Sequence, residues 1–260
     1  MMKLLFALIV SNLVCSLGFA ETNELQLVKV APGQVIPFWL VPKSTPGKQK
    51  TVVKPYKIDG LSVMKHQVTK KEYVQFLEKN PDWNKKNALD IYVDATYLNT
   101  FDYKKENVPI TEVSWFAARA FCNYHQMRLP TVAEWEYLAA ASEKIKDANR
   151  DEKFLRRILD WYGEPHGGKL KTVGSIYKNM YGIWDMHGLV WEWVEDFNSS
   201  FVTGESREDG TLNKDMFCGA GNMSSANKED YAAFMRFAFR SSLKGNSSVW
   251  NLGFRCVRSL

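Results

Sequence analysis

The residues with the most chemical content lie between positions 185 and 240. Asp185 and Glu192 frame a short loop and bring carboxylate oxygens to it. Gly188 and Val190 between them can turn backbone carbonyls to the same side, which together makes the hard oxygen set that calcium prefers. The same acids admit a plainer reading, with Asp185 capping a turn and Glu192 pairing with an arginine. Farther on, Cys218 precedes the small-residue turn Gly219-Ala220-Gly221 and is followed by Ser224, Ser225, Asp230, Tyr231, Arg236 and Arg240. These polar groups suit a polar ligand, and a neighbouring guanidinium would favour the thiolate form of Cys218, making it a candidate catalytic group. The competing reading is that Cys218 is an inert buried side chain. His66, His125, His166 and His187 share no short spacing of the kind that zinc or non-haem iron requires, so each reads as a surface or hydrogen-bonded histidine.

The elements that must position these groups begin after an export signal. Lys3 precedes the apolar run Leu4 to Val10, which continues through Leu13, Val14, Leu17 and Phe19 to the small residues Gly18 and Ala20. That is the form of a signal peptide cleaved between Ala20 and Glu21. The run is too short and too interrupted, at Ser11 and Asn12, for a membrane anchor. Cys15 lacks the small preceding residue of a lipidation site. Residues 21–260 are then expected to form one soluble domain outside the cytoplasm, in the periplasm or beyond the cell.

The 260 residues are 45% hydrophobic and 24% charged, enough for one core, and the net charge of +5 is scattered rather than clustered, so nucleic acid is not an expected partner. A monomer is expected. Cys122, Cys218 and Cys256 remain after cleavage, which in an oxidising compartment implies one disulfide and one leftover thiol. Extended pieces are predicted at 25–30 and 35–40. Thr69 to Glu72 and Thr131 to Glu134 each have the form of a capping box opening a helix, and Ser114 caps a third helix that runs to His125. A polar insert spans 80–107, a solvated helix is predicted within 143–157, and short strands and loops are predicted from Gly174 onward. The tryptophans Trp184, Trp191 and Trp193 suit a core more than a stacking platform, and Asn198, Asn222 and Asn246 begin Asn-x-Ser sequons.

Several ordered motifs carry a resemblance across the whole mature chain. Val68-Thr69 with Glu72-Tyr73 and Phe76, Val108-Pro109-Ile110, Val113-Ser114-Trp115, Arg128-Leu129-Pro130-Thr131 with Glu134-Trp135-Glu136-Tyr137, Tyr181 to Trp193 and Asn251-Leu252-Gly253-Phe254-Arg255-Cys256 are similar to signatures of the formylglycine-generating enzyme, or sulfatase-modifying factor, superfamily. The resemblance implies an α+β, C-type-lectin-like fold with little regular secondary structure, a disulfide between Cys122 and Cys256, and a structural calcium at Asp185, Gly188, Val190 and Glu192. It also places Cys218 near the substrate groove.

The chain departs from the family where the chemistry lies. The oxidase of that superfamily holds copper between two cysteine thiolates. Counted back from the terminal motif, the second falls near Ala232 and the first within 224–227, and neither is cysteine here, so copper is not expected at that dithiol site. The leading expectation is a maturation factor or oxidoreductase acting on a small-molecule or protein substrate outside the cytoplasm, similar to the subfamily that matures the pyoverdine chromophore in the periplasm. The alternative is a non-catalytic binding module, because C-type-lectin-like domains often only recognise ligands.

Overall fold

A computed structural model of the chain describes residues 25–36, 55–101, 107–164, 170–197 and 228–260. Seven short strands and five α-helices are described: β1 (Leu27–Val30), β2 (Gly33–Val35), β3 (Tyr56–Ile58), β4 (Leu61–Met64), α1 (Lys70–Lys79), α2 (Trp115–Tyr124), α3 (Val132–Ala139), α4 (Glu152–Gly163), β5 (Trp191–Glu192), α5 (Lys228–Ser241), β6 (Leu252–Gly253) and β7 (Val257–Ser259). β4 lies between β1 and β7, antiparallel to both, with Val63 opposite Val28 on one side and Val257 on the other. The N-terminal and C-terminal parts of the described chain are thereby joined through one strand. β2 pairs with β3, and β5 with β6 in parallel.

The helix starts follow from the sequence. In α1 the Thr69 hydroxyl accepts the Glu72 amide while the Glu72 carboxylate accepts the Thr69 amide, and Thr131 with Glu134 repeats the box at α3, so orphan donors at both helix starts are satisfied. Ser114 caps α2 as expected. Two clusters form the core. Tyr73, Phe76, Phe121, Trp193 and Phe254 anchor one, and Trp135, Leu138, Phe154, Ile158 and Val194 the other. Cys122 and Cys256 are joined by a disulfide within the first cluster.

Two elements differ from the expectation. The helix placed within 143–157 runs instead over Glu152–Gly163, where Asp151 caps it and Phe154, Leu155, Ile158 and Trp161 face inward, so it is a core helix rather than a solvated one. The region after Gly174, expected to hold only strands and loops, contains the helix α5. No helix among the described residues is long and apolar enough to cross a membrane.

Candidate functional site

The loop 185–192 hangs on a fully buried ion pair. Arg255 follows β6 and grips Glu192 in β5 with two bonds, Nε to Oε2 at 2.8 Å and Nη2 to Oε1 at 2.7 Å. Gln67 donates from Nε2 to Oε1 at 2.7 Å, and Trp135 from Nε1 to Oε2 at 2.8 Å. A carboxylate offers about four lone-pair sites. Each is taken by a protein donor. Asp185 has a left-handed backbone (φ 57°), and its Oδ1 accepts the amides of Ile176 at 2.9 Å and Tyr177 at 3.2 Å while Oδ2 accepts that of Gly174. Asp185 therefore caps the 174–177 turn, and Glu192 pairs with Arg255.

This arrangement bears directly on calcium. A cation bonded to Glu192 would have to displace Arg255, Gln67 or Trp135, and one bonded to Asp185 would compete with three amides. As placed, Glu192 has all of its about four lone-pair sites taken by protein donors, whereas Asp185 keeps one on Oδ2 beside its three amides. Gly188 keeps a conformational role, since at φ +100° a side chain would be strained and its Cβ would lie 2.7 Å from Ile176.

The second group of predicted site residues is split. Cys218 and Ser224 lie outside the described residues, as does the side chain of Asp230 in α5. Tyr231 is exposed. Arg236 and Arg240 are buried and converge on Glu136 of α3: Arg236 bonds it through Nε at 2.9 Å and Nη2 at 2.6 Å, and Arg240 through Nη1 at 3.1 Å. Arg236 also reaches the Tyr162 hydroxyl at 3.1 Å, and both guanidinium groups lie over the Trp135 ring. The two arginines expected to bind a ligand are instead buried and tie α5 to α3, the single Glu136 carboxylate offsetting one of their two charges. Ala232, near which the family's second thiolate would fall, is 1% exposed and packs in the second core cluster.

The Glu136 triad has a pH consequence. Burial alone would raise the Glu136 carboxyl, but the charge and hydrogen bonds of Arg236, with Arg240 behind them, hold it down at about 2. Its folded pKa lies below the ordinary 4.5, so the stabilisation is fully present above about 4.5 and is lost as pH falls toward 2. Acid titration of the melting temperature should show this loss in the wild type and a shallower slope between those values in Glu136→Gln; equal slopes would contradict the assignment.

Between α4 and the 171–188 segment lies a cavity of about 580 Å³, with Lys153, Arg156, Arg157 and Trp161 on one wall and Ile176 and His187 on the other. His187 is buried edge-on to Trp135 and Phe154, at ring distances of 5.5 and 5.8 Å. Its Nε2 is 3.1 Å from the Ala139 carbonyl, which fixes the proton on Nε2 and leaves the lone pair on Nδ1. Burial, reinforced by the Arg236 charge, pushes His187 down to about 3, so the ring is neutral at physiological pH.

Sequence reasoning missed this cavity. From the sequence His187 reads as a surface or hydrogen-bonded histidine and 143–157 as a solvated helix. The legible signal was the Phe154, Leu155, Ile158, Trp161 stripe behind an Asp151 cap, which marks a helix with a buried face and hence a wall. Of the tryptophans, Trp193 is core, donating to the Val113 carbonyl, and Trp191 is stacked between Tyr162 and Phe239 at 5.0 and 4.6 Å. His66 bonds the Gln67 carbonyl, His125 lies against Phe121, and His166 is outside the described residues.

The formylglycine-generating enzyme of Streptomyces coelicolor is 33% identical over 175 residues, which cover 59% of this chain and 53% of that protein. The inactive C-alpha-formylglycine-generating enzyme 2 of Bos taurus is 36% identical over 101 residues, covering 35% of this chain and 34% of that protein. The chain thus spans about half, or less, of the length of the curated relatives it matches. The solved structure of PvdO from Pseudomonas aeruginosa superposes with a TM-score of 0.47 at 15% identity, covering 90% of this chain and 94% of that one. The profile of the sulfatase-modifying factor enzyme 1-like domain matches residues 20–260, and the chain belongs to that family.

Proposed function

We propose that this chain is an exported binding member of the sulfatase-modifying factor family that does not carry out copper-dithiol oxidation. The observation that carries this reading is that Ala232, near which the second thiolate would fall, is packed into the second core cluster, with Arg236 and Arg240 closed onto Glu136 beside it. A copper(I) site needs soft thiolate ligands and an open coordination position, and a buried alanine offers neither. Export is supported by the 1–20 segment and by the Cys122–Cys256 disulfide, a bond that persists in oxidising compartments.

The maturation or oxidoreductase reading needs reactive groups from 218–240, chiefly Cys218. One experiment tests the exclusion of copper-dithiol oxidation, which both readings share. The full chain is incubated with Cu(I), oxygen and a cysteine-containing sulfatase-type peptide, and the peptide is weighed by mass spectrometry. Unchanged peptide is expected, and conversion of its cysteine –CH2SH to an aldehyde would refute the binding reading.

A further inference from the structure

We propose that the chain docks on an anionic lipid surface through two neighbouring turn tips, 142–147 and 178–182, which present Ile145 and Met180 among Lys144, Lys146 and Lys178; this goes beyond the binding reading and stands independently of it. Each tip is built by a polar residue turned inward. Ser142 is buried, and its hydroxyl accepts the amides of Lys144 at 3.3 Å and Ile145 at 3.1 Å, while its own amide donates to the Ile145 carbonyl at 2.9 Å. Asn179 is buried as well: its Nδ2 donates to the Leu138 carbonyl at 2.9 Å, and its Oδ1 accepts the amides of Tyr181 and Ile183 at 3.0 and 3.1 Å. Gly182 completes that turn with a left-handed backbone (φ 83°). The Met180 amide donates to the Ser142 carbonyl at 2.9 Å, which pins the two tips side by side.

With the polar residues turned in, their apolar neighbours are left to solvent. Ile145 is 45% exposed and Met180 47%. Single exposed apolar side chains are ordinary, but two on adjoining, hydrogen-bonded tips form a patch, and Tyr181 lies half-buried next to Met180. Neither tip lines the cavity beside α4.

Charge selects what covers this patch. Lys144, Lys146 and Lys178 are exposed, and none of the three forms a salt bridge among the described residues. Lys178 Nζ lies over the Trp184 ring at 5.6 Å, which keeps that cation on its own turn. Glu143 is held by Arg157 at 2.5 and 3.0 Å, which leaves Asp147 to set against three lysines. Anionic lipid matches such a surface: its phosphates take the ammonium groups while Ile145, Met180 and the Tyr181 ring enter the headgroup boundary. A weak apolar contact and a weak electrostatic one then hold together where either alone would not. A protein partner would need a groove shaped to two projecting tips, and a bilayer takes them without one.

Flotation with vesicles of phosphatidylglycerol and phosphatidylcholine tests this on the chain as recovered from its host, alongside hydrogen exchange. Binding to the vesicles that contain phosphatidylglycerol is expected. It should fall by roughly tenfold or more in Lys144→Glu/Lys146→Glu, since each lysine near an anionic surface is worth about fivefold, and by roughly fivefold in Ile145→Ser/Met180→Ser. Amide exchange over 142–147 and 178–182 of the wild type should slow when vesicles are added, a readout that holds even if a variant folds poorly. Equal binding to pure phosphatidylcholine, binding that survives the lysine reversal, or unchanged exchange over both tips would each overturn the inference. Slowing produced by polyglutamate without lipid would put an acidic protein partner in place of the bilayer, and slowing that grows with protein concentration alone would put a second copy there; either result overturns the lipid assignment.

Discussion

Glu192→Ala should destabilise the chain by about 3–5 kcal/mol, because it strands the Arg255 guanidinium in an interior where both partners are fully buried. The loss is larger than that of a surface pair, since Gln67 and Trp135 also surrender an acceptor. Urea unfolding of wild type and variant measures it. If the carboxylate serves Arg255, Gln67 and Trp135 rather than calcium, the melting temperature of the wild type should be the same with and without chelator. A chelator-sensitive wild type whose sensitivity vanishes in Glu192→Ala would restore calcium to this loop and displace the account given for Glu192.

Removing the disulfide should have an effect of similar size. Cys122 in α2 and Cys256 beside β7 are 134 residues apart, and closing that loop restricts the unfolded chain by up to about 5 kcal/mol on the chain-entropy estimate. The paired change Cys122→Ala/Cys256→Ala should lower the urea midpoint accordingly, and reductant should do the same to the wild type. Non-reducing peptide mapping checks the connectivity directly: a peptide linking 122 to 256 is expected, and a linkage through Cys218 would contradict it.

Much of the fold was legible because its signals are local. Thr69 with Glu72, Ser114, and Thr131 with Glu134 announce three helix starts by chemistry confined to one turn. The position of α4 was displaced because the charged stretch from Glu143 onward masks a hydrophobic stripe that begins only at Phe154. α5 carries no local signal of its own strong enough to announce it, because the residues that fix it, Arg236 and Arg240, find their partner Glu136 about a hundred positions away.

The same distance explains the site. That Asp185 and Glu192 are acids could be read from the sequence; that amides from 174–177 and side chains from 67, 135 and 255 fill their lone pairs is a property of the packed chain. His187 looked ordinary for the same reason, since its lone pair is exposed as unmet only once Ala139 is seen to hold its other nitrogen.

The central claim, a family member without the copper-dithiol site, is tested most directly by titrating the reduced full chain with Cu(I) against a competing bicinchoninate chelator, before and after alkylation of accessible thiols. The account predicts that the chain withdraws no stoichiometric copper from the chelator. A tight one-to-one Cu(I) complex that alkylation of Cys218 abolishes would contradict it.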